Sequence, residues 1–189
     1  MITNINQVKD SNLSKLVILI GPKGCGKTTI GKVLGDSCKD IVFLEVEKIF
    51  LKVISECGND VNLFEKTHSL VDTEISRLFT KFNTVIIESL GLGAPGKPFD
   101  KFLKHYNILF GKVILVRIHC PLNVCIERCK KRDQTSQVKL DLERIKYYNN
   151  LASKVELDWD LELTNYKKVE NYLSEEEILI QCACILSDP

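Results

Sequence analysis

The stretch LVILIGPKGCGKTTIGKVLG, residues 16–35, passes from an apolar run through a lysine-bearing glycine loop into a helical pattern. Its centre, Gly21-Pro22-Lys23-Gly24-Cys25-Gly26-Lys27-Thr28, fits G-x-x-x-x-G-K-[ST], the phosphate-binding P-loop. Glycines let the backbone wrap closely around phosphate oxygens, partly in conformations that side chains forbid. Successive N–H groups then form an anion nest at the positive end of the following helix. The candidate phosphate contacts are therefore Gly21, Lys23, Gly24, Cys25, Gly26, Lys27, Thr28 and Thr29. Lys27 is placed to reach the β- and γ-phosphates, and the Thr28 hydroxyl to ligate Mg2+. Context supports the match: Leu16 to Ile20 reads as a buried strand, and residues 29–34 carry apolar side chains at helical spacing.

Working outward, a chain of 189 residues that is 44% hydrophobic can bury one good core and suits a single domain. The expected organisation is a loose polar leader over residues 1–14 and one domain over 15–189. A formal charge of +1 gives no reason to expect nucleic-acid or membrane binding by bulk electrostatics. No stretch approaches the roughly 18–20 apolar residues of a membrane span. Eight cysteines without a secretion signal imply reduced thiols and a cytoplasmic location. Cys120, Cys125 and Cys129 approach one helix face, with His119 beside them, and Cys182 and Cys184 form another pair. No C-x-x-C spacing occurs, so these thiols read as small buried hydrophobes rather than zinc ligands. Cys25 stands apart because a thiol at a helix N-terminus can be acidified and oxidised, although a small loop filler is the simpler reading.

Apolar runs recur at 16–20, 41–46, 84–88, 112–118 and 159–163, with helical patterns at 27–37, 47–57, 62–82, 99–110, 121–132, 140–154 and 174–186. Strands alternating with helices predict an α/β fold: a three-layer, doubly wound, five-stranded parallel sheet with ligands beyond the carboxyl ends of its strands. The segment GLGAPGKP, residues 91–98, follows a strand directly and reads as a functional loop rather than a domain boundary.

Phosphoryl transfer is mostly positioning and charge stabilisation, so cations should surround the γ-phosphate. The chain has five arginines against 21 lysines, and Arg128, Arg132 and Arg144 fall within 17 residues. Arginine recognises phosphate bidentately, whereas lysine serves as the common surface cation. Two strand ends carry acids. In FLEVE, a strand period of two would put Glu45 and Glu47 on one side, and either could act as base toward an acceptor hydroxyl or support Mg2+ through water. Glu88 closes the third strand, and an acidic residue after a buried strand is costly without a partner. P-loop proteins place an acidic residue for Mg2+ at this position, so the likeness makes Glu88 the candidate Mg2+ ligand beside Thr28, ahead of Glu47.

In the order of its parts the chain resembles the P-loop small-molecule kinases, the branch of nucleoside monophosphate kinases and shikimate kinases. GPKGCGKTTIGKVLG is similar to the shikimate kinase opening, and FLEVE stands where those kinases carry a paired-aspartate strand end. HCPLNVCIERCKKRD resembles the proline-started helix leading into their arginine-bearing lid, and WDLELTN their last strand and adenine-side loop. The resemblance implies a P-loop nucleoside triphosphate hydrolase fold with a short lid at about 133–139, with ATP and Mg2+ as cofactors. It implies that Arg128 approaches the adenine and phosphates, that Arg132 belongs to the lid, and that Arg144 comes from the helix after it. The loop at Thr164 to Tyr166 would border the base.

Two departures bear on the acceptor. The three-glycine motif after the third strand is replaced by ESLGLGAPG, and between residues 47 and 82 the only arginine is Arg77. A neutral or weakly charged hydroxyl compound therefore fits better than a strongly anionic one, with Lys48 and Lys52 the remaining cations nearby. The leading expectation is an ATP-dependent phosphotransferase acting on a small-molecule acceptor. A 5′-hydroxyl polynucleotide kinase and a non-catalytic ATP-binding module are the alternatives. A GTPase switch is excluded, because neither N-K-x-D nor D-x-x-G after the third strand occurs.

Overall fold

In the computed structural model, which describes residues 14–58, 62–92, 99–110, 112–135, 142–154, 165–170, 177 and 180, the chain alternates strands with helices. It begins with β1 (Lys15–Ile20), α1 (Lys27–Ser37), β2 (Ile41–Leu44), α2 (Val46–Cys57) and α3 (Leu63–Phe79). It continues with β3 (Thr84–Ser89), α4 (Phe99–Phe110), β4 (Lys112–His119), α5 (Leu122–Thr135), α6 (Leu142–Lys154) and β5 (Asn165–Glu170). The strands lie in the order β2-β3-β1-β4-β5, all pairs parallel. With β1 central, the chain leaves its carboxyl end between β3 and β4, the kind of crevice where doubly wound sheets bind ligands.

Residues 16–20 are at most 2% exposed because β1 is covered on both faces, which is why it reads as a continuous apolar run. Alternation divides the core. Val17, Leu19, Ile86, Ile114, Val116 and Ile118 face α1 and the start of α5, packing on Ile30, Leu34, Cys120 and Cys125. Leu16, Ile18, Val85, Ile87, Val113 and Leu115 face the opposite layer, where Val71 and Ile75 of α3 and Leu103 and Tyr106 of α4 cover them. Each such side chain contributes about 1.5–3 kcal/mol on burial, so the layers are held mainly by the sheet's own apolar faces.

Two expectations differ from the structure, at the end of the second strand and in the last strand. The second strand stops at Leu44 and α2 begins at Val46, so Glu45 is the helix N-cap and Glu47 lies in the first helical turn. The strand period that would align these two acids does not apply. The first three lid residues, Asp133 to Thr135, continue α5, while residues 136–139 fall outside the described residues. The expected strand at 159–163, the helix at 174–186 apart from residues 177 and 180, and the leader over 1–14 apart from residue 14 also lie outside them. The strand found is Asn165–Glu170, pairing with β4 from Ile114↔Asn165 to His119↔Glu170. Asn165 and Tyr166 thus sit at the amino end of a parallel strand, away from the ligand crevice, and do not form a loop beside the base. A lysine-bearing strand such as NYKKVE suits a sheet edge, where charges discourage further pairing.

Candidate active site

The loop between β1 and α1 is shaped by glycines that have no substitute. Gly24 and Gly26 have φ of 89° and 98°, in the left-handed region. A Cβ on Gly24 would lie 2.3 Å from the Cys125 carbonyl oxygen, so the loop crest rests directly on α5. A Cβ on Gly21 would lie 2.6 Å from the Ile118 carbonyl oxygen of β4. Gly26 is the N-cap of α1, with no capping side chain and no acidic residue in the first turn. The positive end of α1 is therefore left for an anion.

Lys27, only 9% exposed, folds over this loop, its Nζ donating to the carbonyls of Gly21 at 2.8 Å and Pro22 at 3.0 Å. One residue on, the Thr28 hydroxyl donates to Glu88 Oε2 at 2.7 Å. The two proposed metal-site residues, 60 positions apart in sequence, thus meet at the head of α1. Glu88 Oε1 is buried without a hydrogen-bond partner among the described residues. Burial pushes the Glu88 carboxyl above its ordinary range, against the Thr28 hydrogen bond and the Lys27 charge, with Glu47 and Glu45 adding repulsion. A buried, half-satisfied carboxylate beside a hydroxyl is a donor set suited to a hard cation.

Around this centre acids and lysines alternate. Glu45 pairs with Lys48 at 2.7 Å and Lys32 at 3.3 Å, and Glu47 pairs with Lys23 at 3.3 Å. The hydrogen bond from Lys48, reinforced by Lys32, holds the Glu45 carboxyl below the usual carboxylate range. This makes Glu45 a weak base. Arg77, at the far end of α3, pairs with Glu74 on the exposed side of its own helix and takes no part in the site.

On α5, Arg128 Nη1 donates to Cys120 Sγ at 3.6 Å, which directs it toward the carboxyl end of β4. Burial raises the Cys129 thiol, opposed by the charges of Arg132, Lys23 and Lys27, so Arg132 and the loop lysines act on one sulfur. Arg144 lies in α6, and its side chain falls outside the described residues. Cys25, Cys120, Cys125 and Cys129 are all buried, and no group of three or more His, Cys, Asp and Glu side chains that could hold a metal ion is found among the described residues. The Cys25 thiol is pushed up by burial despite Lys27 nearby, so it fills space under the loop and is not acidified.

Two residues escaped sequence reasoning. Asn149 of α6 is fully buried and bonds both main-chain groups of Lys23. Of Lys23, only the side chain therefore remains for a phosphate. Arg117, 5% exposed in β4, lies in register with Ile20 just before the loop. A charge inside an apolar strand was the available signal for Arg117; Asn149, inside KYYNN, carried none.

Residues 17–149 match the AAA domain family, and the chain belongs to that family. None of the curated proteins matches it by sequence. Its structure is similar to a chain of the Pnkp1/Rnl/Hen1 RNA repair complex (TM-score 0.63, 16% identity), over 82% of this chain and 48% of that one. The match thus spans about half the length of that relative. A gluconokinase from Sinorhizobium meliloti 1021 is similar over 93% of both chains, with TM-score 0.61 and 15% identity. A shikimate kinase from Aquifex aeolicus vf5 is similar over 90% of this chain and 95% of that one, with TM-score 0.58 and 25% identity. The chain has the P-loop kinase fold and resembles the shikimate kinase branch, as the order of its motifs implied. None of the described helices is long and apolar enough to cross a membrane.

Proposed function

We propose that this chain is an ATP-dependent phosphotransferase that moves the γ-phosphoryl group to a hydroxyl of a small-molecule acceptor. The observation that carries this reading is the junction of Lys27, Thr28 and Glu88 at the uncapped head of α1. Lys27 leaves the Gly21 and Pro22 carbonyls to hold the β- and γ-phosphoryl oxygens, and the N–H groups of Gly24 and of Gly26 to Thr29 cradle the β-phosphate, that of Cys25 donating to the Pro22 carbonyl at 3.2 Å. Thr28 and Glu88 would hold Mg2+, which would neutralise charge on the phosphates. Arg132 and Arg144 supply further positive charge where negative charge develops on the oxygens in the transition state, and Arg128 borders the nucleotide. Glu45 orients the acceptor hydroxyl. Its lowered carboxyl suits accepting a hydrogen bond better than removing a proton early, and a loose transition state asks little of a base. Glu47 takes that role instead if nucleotide draws Lys23 away from it.

The segment between residues 47 and 82 offers exposed Lys48 and Lys52, and its one arginine, Arg77, pairs with Glu74, which supports a neutral or weakly charged hydroxyl compound. The similarity to a chain of the RNA repair complex supports a second reading, a 5′-hydroxyl polynucleotide kinase. ATP consumption should be measured against pooled sugars, sugar acids, nucleosides, nucleotides, shikimate-like acids and a 5′-hydroxyl oligonucleotide. One pool is expected to raise consumption, and Lys27→Ala to remove at least about 1,000-fold of it. Near-normal turnover in Lys27→Ala would overturn the kinase reading. Tight ATP binding with no turnover in any pool would leave a non-catalytic ATP-binding module.

A further inference from the structure

A fully buried asparagine in mid-helix has to justify itself, because a buried amide without partners costs several kcal/mol and asparagine has no local advantage in a helix interior. Asn149 lies within α6 (Leu142–Lys154) at 0% exposure. Both of its polar atoms are used on one residue 126 positions away. The Lys23 N–H donates to Asn149 Oδ1 at 2.7 Å, and Asn149 Nδ2 donates to the Lys23 carbonyl at 2.9 Å. One side chain thus makes the two-bond contact that a neighbouring strand would make, at the crest of a loop that belongs to no strand or helix.

That contact has three physical consequences. The Lys23 N–H is taken out of the phosphate nest, so the nest begins at Gly24. The crest is gripped from outside by two helices, α6 through Asn149 and α5 through the close approach of Gly24 to the Cys125 carbonyl. Third, Arg144 precedes Asn149 by five residues on the same helix, roughly 7.5 Å along its axis. The helix that follows the lid region is therefore keyed to the loop.

Resting on the phosphotransferase reading, we infer that Asn149 is a positioning residue for nucleotide phosphate: it holds the loop open before the nucleotide arrives and ties α6 to phosphate occupancy. Holding the nest in shape beforehand removes an ordering cost from each binding event. A residue that merely packs α6 would affect stability without distinguishing ligands that carry phosphate from those that do not.

The test titrates MgADP and adenosine into wild type and Asn149→Ala, with melting curves alongside. Two neutral hydrogen bonds, at about a factor of three to ten each when shared between folding and binding, predict about a tenfold loss of MgADP affinity and little change for adenosine. In turnover assays the KM for ATP should rise by a similar factor with kcat lowered less. Equal affinities of wild type and variant for MgADP, or equal losses for MgADP and adenosine, overturn the inference. Should Asn149→Ala fail to fold, hydrogen exchange on the wild-type chain decides. MgADP must slow exchange in residues 142–154 together with the loop, and protection confined to the loop overturns the coupling. A wild-type chain that binds no MgADP removes the nucleotide reading itself, and this inference with it.

Discussion

At Glu88 a single carboxyl group sets stability against function. Its folded-state pKa is raised, chiefly by burial, so the native state holds the proton more tightly than the unfolded chain does. Its contribution to stability is therefore complete below the unfolded value of about 4.3 and declines as pH rises through the raised folded value. Glu88→Gln cannot titrate. In the presence of a chelator, the variant's Tm minus that of wild type should grow as pH rises from about 4 to about 8. A difference that stays flat or shrinks would contradict the raised carboxyl. In nucleotide titrations the same variant should lose most of the Mg2+ dependence of binding. Glu45 has the opposite sign: its lowered carboxyl stabilises above the unfolded value, and that stability disappears as pH falls through the folded one.

At the scale of elements, the site depends on how closely α1 lies to the second strand and α5 to the loop. A Cβ on Gly31 would lie 2.4 Å from the ring of Phe43, and one on Gly35 3.2 Å from its Cβ. Alanine is worth up to about 1 kcal/mol over glycine inside a helix, but overpacking of this kind costs about 1–3 kcal/mol. Gly31→Ala should therefore lower the Tm, and an unchanged or higher Tm would show that Phe43 yields without cost. On α5, Arg132 shares the Cys129 sulfur electrostatically with Lys23 and Lys27. Arg132→Lys keeps the charge and loses the planar fork. It should lower kcat more than it weakens ATP binding, because contacts to the transferring group strengthen in the transition state. A loss confined to ATP affinity would make Arg132 a ground-state contact.

For the whole molecule, nucleotide binding to the folded state alone stabilises it by mass action, by about 2.7 kcal/mol at a ligand concentration 100 times Kd. In a chain of this size that corresponds to a rise in Tm of roughly 5–10 °C. MgADP should produce that shift in wild type and much less in Lys27→Ala. The variant itself should melt slightly below wild type, since it gives up the hydrogen bonds from Lys27 Nζ to Gly21 and Pro22. An equal shift in both proteins would place the nucleotide away from the loop.

The sequence by itself determined the parts whose signals are local. The apolar run of β1, the glycine spacing and the Lys-Thr pair specify strand, phosphate loop and helix over 15–37 because each depends on near neighbours and backbone geometry. The helix bounds 27–37 and 99–110 were read directly from apolar spacing. Tertiary structure decided what depends on distance across the fold. It ended β2 at Leu44, because the next turn serves α2 and its packing, and so replaced an aligned pair of acids by separate lysine pairings, Glu45 with Lys32 and Lys48 and Glu47 with Lys23. It brought Thr28 to Glu88 across two parallel strands, and it placed Asn149 on Lys23. No periodicity marks an asparagine that bonds a main chain 126 residues away, because the reason for that residue exists only once β1, α5 and α6 are packed together.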